Sequence, residues 1–141
     1  MEGRMSKELD EKWRELVAAG KAKWMPGMLT LEEVVPPAIT LGWDAARVLH
    51  ADEGDAVQVC TVLGKVRDIH DTALPDFSDP ATLGALLGQV REAWGDPYVY
   101  AMRLNVRRQI WVVHVPSDRH NIHGEGETEA AALVAAREAA P

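Results

Sequence analysis

The order of apolar patterns along the chain predicts an α+β fold: a small antiparallel sheet packed by a central amphipathic helix, with further helices near the N- and C-terminal ends. Three observations carry that expectation. Apolar residues recur at helical spacing in three separate stretches, β-branched and aromatic residues alternate at strand spacing elsewhere, and short turns join neighbouring strand runs into hairpins. At 141 residues the chain suits one compact domain and is too short for two full ones. Residues 1–24 are then an N-terminal helix or arm, and residues 25–141 a single α+β domain.

Ser6 is placed to cap a first helix running to about Ala19, because Leu9, Trp13, Leu16 and Val17 fall at i, i+4, i+7 and i+8 and Gly20 suits a left-handed exit. Its other face carries Lys7, Glu8, Glu11, Lys12, Arg14 and Glu15, so it either packs by the apolar stripe or projects as an arm. From Lys21 to Trp43, Pro26-Gly27 and Pro36-Pro37 interrupt regular structure and leave room for a short strand around Met28 to Leu31. Ala45 to Ala51 is weakly patterned, and Asp52-Glu53-Gly54-Asp55 reads as a turn. Val57, Val59, Thr61 and Leu63 alternate with Gln58, Cys60 and Val62, which predicts a strand, and a second short strand near Lys65 to Ile69 follows Gly64. Asp68 to Asp79 reads as loop, since Pro75 and the Asp, Ser and Thr side chains offer the backbone local hydrogen bonds in place of a ladder.

The predicted central helix comes next. Asp79 is an N-cap with Pro80 at the first helical position; Leu83, Leu86, Leu87, Val90, Ala93 and Trp94 form one stripe, and Gly95 and Pro97 end it. Tyr98, Tyr100, Met102 and Leu104 alternate with Val99, Ala101 and Arg103, and Gln109 to Val115 is aromatic and β-branched, so Asn105 to Arg108 makes the turn of an antiparallel hairpin. Pro116 to Gly126 reads as a polar loop, after which Thr128 caps a last helix, Glu129 to Ala139.

Net charge is −7, which disfavours direct nucleic-acid binding, because phosphate backbones are repelled unless local patches override the overall field. The acid is concentrated: Glu32 to Asp96 holds twelve acidic residues against four basic ones. Such a segment is either a solvated face or a surface that docks on a basic partner. The single cysteine, Cys60, excludes an internal disulfide framework and zinc sites built on paired cysteines, and fits a reducing cytoplasm. The charged start MEGRMSKELD lacks the apolar core of a signal peptide, and no run approaches the roughly 18 apolar residues of a membrane crossing. No membrane partner is therefore expected.

Candidate chemistry is sparse. His114, His120 and His123 lie near Asp118, Glu125 and Glu127, and imidazole with carboxylate is a zinc-type donor set, so a metal-dependent hydrolase or nuclease built on His114, His120, His123 and Asp118 is the enzyme alternative. The spacing matches no established ligand pattern, and exposed loop histidines with one partly buried strand histidine account for it better; no metal or cofactor is assigned. Cys60 with His50 or His70 would be the minimum of a thiol nucleophile, although a cysteine in an apolar strand is ordinarily a small buried hydrophobe. Asp68, Asp71, Asp76 and Asp79 crowd one loop, where Asp serves equally as turn and cap residue. No phosphate-cradling glycine loop, nucleophile elbow or helix-borne zinc motif is present. Among five tryptophans, Trp13 and Trp94 lie on predicted core stripes, whereas Trp24 and Trp43 flank the Pro-rich segment and are placed for partner contact. Arg103, Arg107 and Arg108 gather at the hairpin tip near Trp111, as solvated turn charge or as a patch for an acidic partner.

The stretch Ser78-Asp79-Pro80-Ala81-Thr82-Leu83-Gly84-Ala85-Leu86-Leu87, with Val90-Arg91-Glu92-Ala93-Trp94-Gly95-Asp96-Pro97, resembles a recurrent segment of small uncharacterised bacteriophage and prophage proteins. The tail Gly126-Glu127-Thr128-Glu129-Ala130-Ala131-Ala132-Leu133-Val134 resembles the ending of the same group. The resemblance implies phage origin and no assigned reaction. Two Asn, three Gln and one Cys, with ten Arg to five Lys, match the composition of thermophile proteins, and a GC-rich mesophile gives the same Arg excess. In size the chain resembles the transcription inhibitors that phages of thermophilic bacteria direct at host RNA polymerase. The expectation is a non-enzymatic phage protein that binds a host machine in the host cytoplasm, RNA polymerase or its sigma factor first and a defence nuclease second; a virion structural or assembly component is a further alternative.

Overall fold

Alternation of small buried and larger exposed side chains organises the first half of the chain into strands, and two closely apposed glycines organise the second half around a helix. The structure is a computed structural model that describes residues 7–33, 43–51, 57–61, 64–69, 73–105, 109–118 and 122–141. Among the described residues it holds three helices and two antiparallel sheets, so the fold is α+β. Two compact units are distinguished: Trp24–Thr82, and Met1–Lys23 with Leu83–Pro141.

The unit Trp24–Thr82 is a five-stranded sheet of β1 (Leu29–Glu33), β2 (Trp43–Ala51), β3 (Val57–Thr61), β4 (Val66–Asp68) and β5 (Leu74–Pro75), in the order β4-β3-β2-β1-β5. The stretch expected to be weakly patterned is thus a nine-residue strand. Ala46 and Val48 are buried while Arg47 and Leu49 are exposed, a period of two whose inward positions begin with a residue as small as alanine. Between Val48 and His50 the register on β3 slips, leaving exposed Leu49 at a bulge. Leu74–Pro75, expected as loop, pairs with β1 at the sheet edge, where a proline costs no ladder hydrogen bond. Thr30, fully buried, donates its hydroxyl to the Ala46 carbonyl at 3.0 Å, so its polar atom is satisfied inside the sheet.

Helix α2 (Pro80–Trp94) starts in this unit and continues into the other. Its cap is the one the sequence predicts: Asp79 Oδ2 accepts from Thr82 N at 3.0 Å and from Thr82 Oγ1 at 3.1 Å. The same oxygen pairs with Arg47 Nη1 at 2.7 Å, and Thr82 Oγ1 accepts from Leu29 N at 2.9 Å. Burial raises the Asp79 pKa, but the hydrogen bonds from Arg47 and Thr82 and the Arg47 charge together outweigh it and hold the carboxyl below its usual value.

In the other unit, α1 (Lys7–Ala18) buries Leu9, Trp13 and Leu16 and packs on α3 (Glu129–Ala139), with Lys12 Nζ 3.3 Å from Glu138 Oε1 at the exposed margin. Val17, placed on the same predicted stripe, is exposed. The sheet of this unit is β6 (Tyr100–Asn105), β7 (Gln109–His114) and β8 (Ile122–Gly126), in that order. The hairpin β6–β7 was legible from the pattern; β8 lies in the stretch expected to be polar loop. Its glycines explain both facts. A Cβ at Gly124 would lie 2.3 Å from the Ala132 carbonyl oxygen, and one at Gly126 would lie 2.6 Å from Ala131 Cβ, so α3 rests directly on bare backbone. Thr128 caps α3 as expected, its hydroxyl accepting from Ala131 N at 3.1 Å.

Thus α3, rather than α2, is the helix laid on the three-stranded sheet. Alanines at 130, 132 and 136 are all buried and let it approach closely. On α2, Leu86 and Val90 are buried while Leu83, Leu87, Ala93 and Trp94 are only partly so. Its end is a Schellman turn: Gly95 at φ 64° brings its own N–H to the Glu92 carbonyl and the Asp96 N–H to the Arg91 carbonyl.

Candidate functional site

Because Gly124 and Gly126 face α3, register assigns every other residue of the small sheet to a face. Gly124 pairs with Val113 and Val113 with Ala101; Gly126 pairs with Trp111 and Trp111 with Arg103. These share the α3 side. The row of Tyr100 opposite His114, with Met102 one step along, therefore lies on the other face, and a register shift between Val113 and His114 sets Ile122 opposite His114. The rings of Tyr100 and His114 stack at 5.0 Å and 10°, so the two side chains share that face. Tyr100 is 43% exposed, Met102 38% and Ile122 41%, around a Val112 that is fully buried. Tyr98, just before β6, is 76% exposed. Large apolar side chains exposed together in one row are what an interaction surface provides, whereas single exposed hydrophobics need no explanation.

Of the three predicted histidines, His114 and His123 lie among the described residues. His114 stacks on Tyr100, as above. His123 lies instead against the Trp94 indole, ring centroids 4.4 Å apart, with its Nε2 3.1 Å from Asp118 Oδ2. That nitrogen is buried and its approach to the carboxylate is not aligned as a hydrogen bond. His120 lies outside the described residues. Among the described residues no group of three or more His, Cys, Asp or Glu side chains converges as a metal site requires.

Other candidates resolve into structural roles or fall outside the description. Cys60 on β3 is partly buried, and its Sγ approaches the Thr61 carbonyl at 3.6 Å. His70 and Asp71 lie outside the described residues. Asp76 Oδ1 accepts from Ser78 N and Oγ at 3.0 and 2.7 Å, an Asx turn, and Asp79 caps α2. Trp24 is half-buried, Trp43 begins β2, and Arg103 is exposed on β6 opposite Trp111; Arg107 and Arg108 lie outside the described residues.

Asp96 is a carboxylate that sequence reasoning passed over. It is buried and accepts from Tyr98 N at 2.8 Å and Ser117 N at 2.9 Å, joining the segment before β6 to the segment after β7. Those two N–H bonds hold its pKa below the usual carboxylate value despite burial. The exposed row on the sheet was also missed. Its signal was present: residues 110–113 of β7 are Ile-Trp-Val-Val, apolar on both faces, while a single alanine-rich helix covers one face of so small a sheet.

Comparison with protein-family models, with curated proteins and with solved structures gives no match to this chain. Among the described residues no helix is long and apolar enough to cross a membrane.

Proposed function

We propose that this chain is a phage-encoded, non-enzymatic protein that binds a host macromolecular machine in the host cytoplasm and modulates it, with RNA polymerase or its sigma factor the first target and a defence nuclease the second. The observation that carries the reading is the exposed row of Tyr100, His114 and Ile122 with Met102 beside it. Aromatic side chains bury large area at low entropic cost, Met is enriched at interface cores, and burial of such a side chain is worth roughly 1.5–3 kcal/mol. The net charge of −7 adds attraction to a basic partner and makes association salt-dependent. Steric occlusion by a rigid sheet face then alters the machine without bond-making.

The test is run-off transcription by a purified bacterial RNA polymerase holoenzyme with and without the protein. The reading predicts a dose-dependent change in product that the double substitution Tyr100→Glu, Met102→Glu abolishes. No change at saturating protein rules out the polymerase as target, and an equal effect of the double variant removes the sheet face from the account.

A further inference from the structure

Beside the end of α1, the middle of α2 and the last turn of α3 lies a cleft of about 110 Å³ lined by Lys21, Lys23, Gln89, Glu92 and Arg137. One wall is fixed by a buried amide. Gln89 accepts from Lys23 N at 3.0 Å and donates to the Lys23 carbonyl at 2.9 Å, which pins the backbone that carries the lysines.

Cations near helix C-termini ordinarily serve the terminal carbonyls, and here several of those carbonyls are already served by N–H groups. Gly20, at φ 73°, donates to the Val17 carbonyl at 3.0 Å, and Lys21 N and Ala22 N donate to that of Leu16 at 2.8 and 3.2 Å. On α3, the Ala136 carbonyl accepts from Trp94 Nε1 at 3.0 Å and the Arg137 carbonyl from Ala140 N at 3.3 Å. The side chains of Lys21, Lys23 and Arg137 make no hydrogen bond or ion pair among the described residues, and neither does Glu92, the acid beside them. Lys12 and Arg47, by contrast, are paired with carboxylates. Three cations and one acid leave a surplus of two positive charges at one small cleft of a chain whose net charge is −7.

We propose that this cleft binds a small phosphate-type dianion. A planar guanidinium offers two parallel N–H donors to such an oxyanion, and two ammonium groups act as point charges on its remaining oxygens. The volume admits a phosphate group. Free inorganic phosphate and a phosphate monoester share this chemistry.

The experiment is a backbone-amide NMR titration of the whole chain at low ionic strength, with inorganic phosphate in one arm, glycerol phosphate in a second and chloride as control. Saturable shifts confined to residues 20–23, 89–93 and 137 are expected in at least one phosphate arm, and Lys23→Gln and Arg137→Gln each weaken binding by roughly tenfold. Tighter binding of the monoester assigns an organic phosphate as ligand; equal or weaker binding assigns the free ion. Spectral dispersion reports folding of each variant, and Lys21→Gln, at an exposed position, serves if Arg137→Gln is unfolded. Absence of saturable shifts in both phosphate arms, equal shifts with chloride, or unchanged affinity in the folded variants overturns the proposal.

Discussion

Substituting Gly124 by alanine should be among the most damaging single-methyl additions in the chain. The new Cβ would sit 2.3 Å from Ala132 O, 2.8 Å from Ala136 N and 2.9 Å from Ala136 Cβ. Two of the three are backbone atoms inside α3, which cannot rotate aside, so the helix must lift from β8 by about 1 Å to restore ordinary contact. Overpacking of this kind costs 1–3 kcal/mol, and the rigidity of the obstacle puts Gly124→Ala at about 3 kcal/mol. Against a total stability of roughly 5–15 kcal/mol this is a large fraction, and it corresponds to a Tm lowered by about 10 °C. Urea unfolding followed by far-UV circular dichroism measures it. The control is Gly84→Ala on α2, where a Cβ meets nothing within 4 Å and the substitution should stabilise by about 0.5–1 kcal/mol. If Gly124→Ala unfolds within about 0.5 kcal/mol of the parent chain, the close seating of α3 on β8 is not what organises this unit.

Trp94→Phe removes the indole donor to the Ala136 carbonyl while keeping a ring against His123, and should cost about 1 kcal/mol in a thermal melt. Asp79→Ala deletes the α2 cap and the partner of Arg47, for a loss of about 1–2 kcal/mol by urea titration. Asp79 and Asp96 both have lowered pKa values in the folded chain, so each stabilises it above the unfolded carboxylate value, and that stabilisation is lost as pH falls through the folded value. Melting temperature should therefore decline on acidification below about pH 4–5, and Asp96→Asn should flatten the decline. A steeper acid limb in that variant would contradict the assignment. Tyr100→Glu with Met102→Glu, on exposed strand positions, should leave the unfolding free energy from urea titration within about 1 kcal/mol of the parent chain.

The helices were legible because their ends are written in side chains: Asp79-Pro80 and Gly95 bound α2, and Thr128 caps α3. The strands were less so. β2 hides behind Ala46 as an inward residue, β5 contains a proline that only a sheet edge tolerates, and β8 contains the two glycines that look like loop but are the seat of a helix. Choosing α2 as the central helix followed from its large leucines; the helix that sits on the sheet is α3, whose alanines approach backbone that leucines could not. At the site level, histidine spacing in sequence gave no guide to neighbours, since His114 and His123 take up separate aromatic partners. The exposed row and the cationic cleft each draw residues from several elements, and such juxtaposition is written in register and packing rather than in any local motif.

The proposed recognition of a host machine by a phage protein through the face of β6, β7 and β8 is tested most directly by parallel affinity purification from infected cells, using the parent chain and the Tyr100→Glu, Met102→Glu variant, followed by mass spectrometry. A polymerase subunit, sigma factor or nuclease recovered with the parent and lost with the folded variant is the predicted result. Recovery of the same partner with both chains, or recovery of the protein only within assembled particles, would contradict it.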